Sequence, residues 1–314
     1  RARASTAPSH FPSQRLSSLD LSDYVPRIVT QRRSRGHYLW PPQAQRIRVC
    51  PLQRGLYEMA SERFVVIGAG HAGGRAVEAM RNAGFEGEIV LIGDEPYLPY
   101  ERPPLSKEVL QAKPNYEFSF IRPREYFDEQ NIELMIGVSA SAIDPAAKTV
   151  SLANGQTVFY DKLLLTTGGR VRKLSIPGSE LTGTHYLRTL DDANALETAL
   201  GKDLNLVVVG GGFIGLEVAA SARQRGCAVT VLEIADRLMG RGVPPSVSSY
   251  FFDLHRGKGV DIRLSSGIER IEGTDTVSGV TTQLGELLTA GAVVIGVGII
   301  PDTGLAEDAG LDVE

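Results

Sequence analysis

Two glycine clusters carry the most readable chemistry in the chain: Gly68-Ala69-Gly70-His71-Ala72-Gly73 and Gly210-Gly211-Gly212-Phe213-Ile214-Gly215. Three glycines at this spacing, between a strand and a helix, make a dinucleotide-binding turn. In the first copy Gly68 permits the sharp turn, Gly70 lets the main chain approach a pyrophosphate, and Gly73 lets helix and strand pack closely. The phosphates then meet free N–H groups and the positive dipole end of the helix. One copy is weak evidence, because glycine turns between strand and helix are common for packing reasons alone. Two copies, each followed by an acid at the end of the next strand, make the reading specific. A carboxylate there accepts hydrogen bonds from ribose hydroxyls and repels a 2′-phosphate. Glu233 therefore favours NADH over NADPH, with Arg237 and Arg241 close enough in sequence to blunt the preference. Asp94 or Glu95 would serve the adenosine ribose of FAD in the same way. Two nucleotide sites in one chain of this size point to a flavin and a nicotinamide.

The elements that must position these turns are legible in the hydrophobic pattern. Arg63-Phe-Val-Val-Ile67 reads as a strand, a helix runs to about Ala83 with Gly84 as its stop, and Glu88-Ile-Val-Leu-Ile92 reads as a second strand. Ala76, Val77 and Met80 are expected to face the sheet. Residues 96–127 form a Pro- and aromatic-rich crossover that includes Tyr97, Tyr100, Phe118 and Tyr126. A strand near Ile132–Ile136 follows, then a hairpin of Thr149–Ala153 and Thr157–Leu165 around Asn154-Gly155, the preferred pair for a two-residue I′ turn. Lys162–Gly168 reads as a buried strand ending in a glycine turn. The second unit repeats the device: strand Asn205–Val209, a helix whose apolar face is Ile214, Val218, Ala219 and Ala222, a stop at Gly226, and strand Ala228–Leu232. Residues 262–292 read as a short antiparallel insert and Ala292–Val297 as the last strand.

At 314 residues with 42% hydrophobic and 22% charged residues, the chain can form two globular domains, and no apolar run is long enough to span a membrane. The net charge of −4 hides an asymmetry. Residues 1–58 hold ten Arg, no Lys, and only Asp20, Asp23 and Glu58 as acids, so they carry about +7 and the remainder about −11. An acidic body argues against nucleic acid as a partner. The 1–58 segment lacks sustained periodicity and is expected to be a disordered leader outside the fold. Upstream sequence read in frame before Met59 is the favoured reading; an Arg- and Ser-rich transit peptide and a basic nucleic-acid arm are the others.

The remaining chemistry is narrowed by what is missing. Cys50 and Cys227 are too few for a disulfide scaffold or a four-cysteine zinc site, which suits a reducing, cytoplasmic compartment, or a mitochondrial one if the leader is a transit peptide. No cysteine lies in Arg102–Leu110, Cys227 is expected in the core, and His71 reads as a turn-filling residue. No Ser/His/Asp order, metal spacing or Walker lysine is present.

Several stretches together resemble the FAD-dependent ferredoxin reductases, the NADH-using reductase components of dioxygenase and cytochrome P450 electron-transfer chains. They are the first glycine turn, Gly93-Asp-Glu-Pro-Tyr97, Tyr100-Glu-Arg-Pro-Pro-Leu-Ser-Lys107, Leu165-Thr-Thr-Gly168, Leu187-Arg-Thr-Leu-Asp-Asp192 and Gly210-Gly-Gly-Phe-Ile-Gly-Leu-Glu217. The resemblance covers about residues 61–314. It implies an α/β fold of two Rossmann-like βαβ domains of the glutathione-reductase type, the second inserted in the first. FAD would occupy 59–169 and 293–314, and NADH 170–292. It further implies Lys107 beside the flavin, paired with Glu217, as the catalytic pair. Arg102, Thr167, Gly168, Gly298 and Pro301 would contact FAD, and Ile214, Glu233 and Arg241 would contact NADH. The implied activity is hydride transfer from NADH to FAD, then single electrons to a ferredoxin-type iron–sulfur protein. Alternative acceptors are rubredoxin, a quinone or a radical, and a non-catalytic flavoprotein like the apoptosis-inducing factor is a third reading. By the same resemblance the chain is expected to be a fragment that binds FAD weakly. The oligomeric state is left open.

Overall fold

Phe64, Val65, Val66 and Ile67 are strand formers with apolar side chains for both faces, and Arg63–Ile67 forms β1. In this computed structural model, which describes residues 62–111 and 119–313, the turn after β1 opens helix α1 (His71–Asn82). Gly84, at φ +83°, follows the helix end, and β2 (Glu88–Gly93) pairs parallel to β1 from Arg63↔Glu88 to Ile67↔Ile92. The crossover makes two 3-10 turns, Pro103–Ser106 and Val109–Gln111, before α2 (Arg124–Glu129) and β3 (Ile132–Ile136). Strands β4 (Ala140–Asp144), β5 (Thr149–Leu152) and β6 (Thr157–Phe159) form an antiparallel sheet, and β7 (Lys162–Leu165) returns beside β1. The first parallel sheet therefore has the order β3-β2-β1-β7. The 1–58 leader, Met59 and Phe118 lie outside the described residues.

Strand β8 (Gly169–Val171) leads out, and β9 (Thr184–His185) and α3 (Leu190–Ala199) precede the second unit. That unit is β10 (Asn205–Val209), α4 (Phe213–Gln224) and β11 (Ala228–Leu232), followed by α5 (Pro245–Gly257) and β12 (Asp261–Arg263). The antiparallel insert is β13 (Ile268–Gly273), β14 (Val277–Thr282) and β15 (Leu287–Thr289). The described part closes with β16 (Ala292–Ile295), β17 (Ile299–Pro301) and a short helix, α6 (Gly304–Asp308). The second parallel sheet has the order β12-β11-β10-β16-β9, and β17 pairs antiparallel with β8.

Five expectations are corrected. The strand expected over Thr157–Leu165 breaks at Tyr160-Asp161, where the Asp161 carboxylate accepts the Arg63 amide at 2.7 Å and fixes the entry to a different sheet. The Asn154-Gly155 turn is not type I′, because only Gly155 has positive φ (+87°). The Asn154 side chain instead accepts the Gln156 amide at 3.0 Å, which holds a longer loop. Strand β7 is an edge among the described strands rather than a buried one, and Leu164 is 37% exposed. Ile214 is 44% exposed and does not face the sheet; Leu216, Val218, Ala219 and Ala222 do. Residues Ala292–Ile295 hydrogen-bond to β10 over Leu206–Val209, so the last strand belongs to the second sheet and the chain leaves it only after Ile295.

The crossover ties the first βαβ unit to the helices of the second. Tyr100, Leu105, Val109 and Leu110 are buried in the same core cluster as Leu190, Leu196 and Leu216 of α3 and α4. Burying these side chains fastens the 3-10 segment against the second unit's helices, at roughly 1.5–3 kcal/mol for each large side chain. Lys107, between Leu105 and Val109, is thereby delivered to the start of α4.

Candidate functional site

The two glycine turns have nearly the same geometry. Gly68 sits at φ +109° and its amide donates to Ile92 O at 2.8 Å; Gly210 sits at φ +110° and donates to Leu232 O at 2.8 Å. A Cβ on Gly68 would lie 2.2 Å from Thr166 O, and one on Gly210 would lie 2.4 Å from Gly296 O. A Cβ on Gly73 or Gly215 would come within 1.9 or 2.0 Å of the turn's own first carbonyl. The middle glycines differ: a Cβ on Gly70 has only the Arg102 guanidinium nearby, at 3.7 Å, and one on Gly212 has nothing within 4 Å. Packing thus explains the outer glycines, whereas the middle ones face open space. Neither Gly70 nor Gly212 is joined by a side-chain cap, and His71 and Ala72 are exposed at the first turn of α1. Each turn can accept a pyrophosphate at its helix N-terminus. The donor set fits that group because open space and uncapped dipole ends coincide.

The acidic tips are placed differently. Glu233 spans its own turn: Oε2 accepts the Gly211 amide at 2.6 Å and Oε1 accepts the Ala235 amide at 2.9 Å. Each of these oxygens keeps a further lone pair for another donor. Asp94 is exposed and its Oδ1 accepts the Glu95 amide at 3.0 Å. Glu95 is engaged on both oxygens, by Arg102 at 2.8 Å and by the Tyr100 hydroxyl at 2.5 Å. Arg102 also donates to Arg188 O, and the Tyr100 hydroxyl accepts the Leu190 amide at 3.0 Å. Burial, with the hydrogen bond to Glu95 adding to it, pushes the Tyr100 hydroxyl well above the usual tyrosine range. Burial and the neighbouring Arg102 lower the Arg188 guanidinium.

Between the crossover and the start of α4 lies a cavity of about 270 Å³, with Arg102, Leu105, Lys107, Arg188, Ile214 and Glu217 among its lining residues. Lys107 Nζ meets Glu217 Oε2 at 2.8 Å and also donates to Pro103 O at 3.0 Å. Glu217 is the fifth residue of α4, so the pair joins the first-sheet crossover to the second glycine turn's helix. The carbonyl-side residues are near as well: Thr167 donates to Asp302 O at 2.7 Å, and a Cβ on Gly168 would sit 3.1 Å from Arg188. Gly298 O accepts the Arg172 amide at 3.0 Å, and Pro301 pairs with Gly169. Arg241 is exposed beyond β11 and does not line the cavity, although a Cβ on the adjacent Gly242 would lie 3.0 Å from the ring of Phe213, which does. Arg237 is committed to Val243 O at 2.8 Å and Ser248 Oγ at 3.1 Å.

Three contributors lie within the quoted motifs but are not singled out by type or spacing. Thr166 rather than Thr167 braces the first turn, its hydroxyl lying 2.9 Å from Gly68 O and 3.0 Å from Ile67 O. Ser106 reaches Glu217 at 2.5 Å. Arg188 lines the cavity beside Arg102. Among the described residues no group of three or more His, Cys, Asp or Glu could hold a metal ion, and no helix is long and apolar enough to cross a membrane.

Each of two parallel sheets carries a βαβ glycine turn, and the crossover and the second turn's helix meet at the cavity. The chain belongs to the pyridine nucleotide-disulphide oxidoreductase family, whose model matches residues 62–314. Rhodocoxin reductase of Rhodococcus erythropolis is 46% identical over 212 residues, 68% of this chain and 50% of that protein. Putidaredoxin reductase of Pseudomonas putida is 40% identical over 212 residues, 67% of this chain and 50% of that protein. A crystallised ferredoxin reductase from Rhodopseudomonas palustris superposes with a TM-score of 0.78 at 40% identity, over 81% of this chain and 63% of that one. The chain spans about half the length of the curated relatives it matches. Membership implies a flavin and a nicotinamide nucleotide as the cofactors.

Proposed function

We propose that this chain carries the two nucleotide-binding parts of an NADH-dependent ferredoxin reductase. It would pass hydride from NADH to FAD and single electrons onward to a ferredoxin-type iron–sulfur protein. The carrying observation is the Lys107–Glu217 pair at 2.8 Å, in the cavity where the crossover after the first turn meets the helix of the second. In this reading the first turn and the crossover hold FAD, through Gly68, Gly70, Gly73, Arg102, Thr167 and Gly168, with Gly298 and Pro301 on the returning ribbon. The second turn holds NADH through Gly210, Gly212, Ile214 and Gly215, with Glu233 at the ribose and Arg241 toward the adenosine phosphate. A bound flavin supplies the exchange between a two-electron donor and a one-electron acceptor. Lys107 offers a fixed cation to negative charge developing in the cavity, and Glu217 keeps that cation in place. Leu105 and Leu187 give the cavity wall a buried apolar part, while Lys107 and Glu217 keep 41% and 34% of their side chains exposed. The two named reductases act with rhodocoxin and putidaredoxin by their names, which supports a small iron–sulfur acceptor here.

The test uses full-length protein. Released flavin is identified chromatographically, the bound flavin is titrated anaerobically with NADH and with NADPH, and reduction of a ferredoxin is followed at its visible bands. FAD, preferential bleaching by NADH and ferredoxin reduction are expected. Reduction of ferricyanide or a quinone but not of any ferredoxin would move the assignment to another acceptor.

A further inference from the structure

Two donors converge on one oxygen in the cavity wall: Lys107 Nζ at 2.8 Å and Ser106 Oγ at 2.5 Å both meet Glu217 Oε2. Ser106 is 4% exposed, so its hydroxyl must be satisfied within the protein. Its other neighbour, Pro103 O, is 3.5 Å away, too far to compete. The same residue is held from behind. Ser221, one helical turn beyond Glu217 and 3% exposed, donates to Ser106 O at 2.8 Å. Ser106 O, Ser221, the intervening turn of α4, Glu217 and Ser106 Oγ therefore form a closed ring across the junction between crossover and helix. Glu217 Oε1 has no hydrogen-bond partner among the described residues, and Glu217 lines the cavity.

We propose that Ser106, braced by Ser221, is a positioning residue that orients the Glu217 carboxylate toward the cavity. By occupying Oε2 together with Lys107 it fixes the carboxylate plane and leaves Oε1 as the acceptor that a bound nucleotide meets. A freely rotating carboxylate could satisfy Lys107 with either oxygen; the second donor removes that freedom. This rests on the proposed reading that the cavity admits the nicotinamide nucleotide.

The experiment is a double-mutant cycle on flavin-containing full-length protein. NAD+ binding to the oxidised protein is measured by calorimetry for wild type, Ser106→Ala, Glu217→Ala and the double variant, with a melting temperature for each. Ser106→Ala is expected to weaken NAD+ about three- to tenfold and to add nothing once Glu217 is gone. Ser106→Thr, which keeps the hydroxyl, is expected to restore affinity. Ser221→Ala provides an independent arm that leaves both of Glu217's donors in the chain; it is expected to weaken NAD+ only where Glu217 is present. Additive losses in the cycle, or unchanged affinity in both serine variants, would overturn the proposal. A wild-type flavoprotein that binds no NAD+ would instead overturn the cavity assignment, and the positioning role with it.

Discussion

The Tyr100 hydroxyl donates to Glu95 Oε2 at 2.5 Å while accepting the Leu190 amide at 3.0 Å, so one phenol ties the tip of β2 to the start of α3. Both bonds require the protonated phenol or tolerate it; the bond to a carboxylate would become repulsive on ionisation. The folded-state pKa is raised, first by burial and then by Glu95. Below the ordinary tyrosine value of about 10 the stabilisation is complete. As pH rises above that value the unfolded chain gains by ionising and the folded one does not, so stability declines. Melting temperatures from pH 8 to 11 should therefore fall more steeply in wild type than in Tyr100→Phe. Parallel slopes would show that the phenol is not held protonated.

The glycines separate fold from function. Gly68→Ala places a Cβ 2.2 Å from Thr166 O at φ +109°, and Gly210→Ala places one 2.4 Å from Gly296 O at φ +110°. Each is expected to cost about 2–4 kcal/mol, visible as a lower midpoint in urea. Gly70→Ala meets only the Arg102 guanidinium, at 3.7 Å. It should stay within about 1 kcal/mol of wild type yet lose flavin, because the added methyl occupies the approach to the turn. Equal destabilisation by Gly68→Ala and Gly70→Ala would contradict the division of roles.

His185 on β9 gives the opposite pH dependence. Its Nε2 is buried without a hydrogen-bond partner among the described residues, and burial lowers its pKa against a weaker upward pull from Asp192. A histidine depressed in the folded state contributes stability that is present above the unfolded value of about 6.5 and is lost as pH falls below it. Urea midpoints at pH 7.5 and 5.5 should differ more for wild type than for His185→Phe. His255 on α5 is lowered by burial as well, so the double variant should flatten the acid limb further.

Arg81 should behave as a fold residue rather than a site residue. Its guanidinium donates to the carbonyls of Phe85, Gly87, Gln130 and Asn131 at 2.6–2.9 Å, closing the far end of the first sheet. Arg81→Ala removes four charge-assisted bonds and is expected to cost about 2–4 kcal/mol in unfolding free energy. Flavin content per folded molecule should stay unchanged, because the glycine turns lie at the opposite ends of the strands.

What could be read from the chain follows from which physics was local. Gly68, Gly73, Gly210 and Gly215 were legible because a turn of this shape excludes a Cβ, so residue type and spacing are dictated by backbone alone. Lys107 and Glu217 are 110 positions apart, and only the resemblance suggested their pairing. Thr166 and Ser106 sit inside quoted motifs and Ser221 outside them, yet none was singled out, because a hydroxyl in a buried hydrogen bond looks in sequence like any serine or threonine. Ile214 was assigned to the apolar face because it fits the helical period, yet the first turn of α4 opens to the cavity before the sheet covers it. The hairpin failed for a similar reason, since the Asn154 side chain supplied a hydrogen bond that the dipeptide rule does not weigh.

Glu233 offers the sharpest test of coenzyme choice, because its carboxylate does two jobs that can be separated. It accepts the Gly211 and Ala235 amides, so Glu233→Ala strands two main-chain donors and should cost about 1–3 kcal/mol in stability. Glu233→Gln keeps one acceptor oxygen and the side-chain volume while removing the charge, and should cost less. If the charge repels a 2′-phosphate, both variants should lower the preference for NADH over NADPH, by about tenfold, equivalent to about 1.4 kcal/mol. The two nearby arginines then divide. Arg237 is held by Val243 O and Ser248 Oγ, so Arg237→Ala should destabilise the loop without changing the coenzyme ratio. Arg241 is exposed, and Arg241→Ala in the Glu233→Gln background should remove the NADPH binding that the first change uncovered. Anaerobic titrations with each coenzyme read out the ratio directly. An unchanged ratio in Glu233→Gln would assign the carboxylate to loop geometry alone.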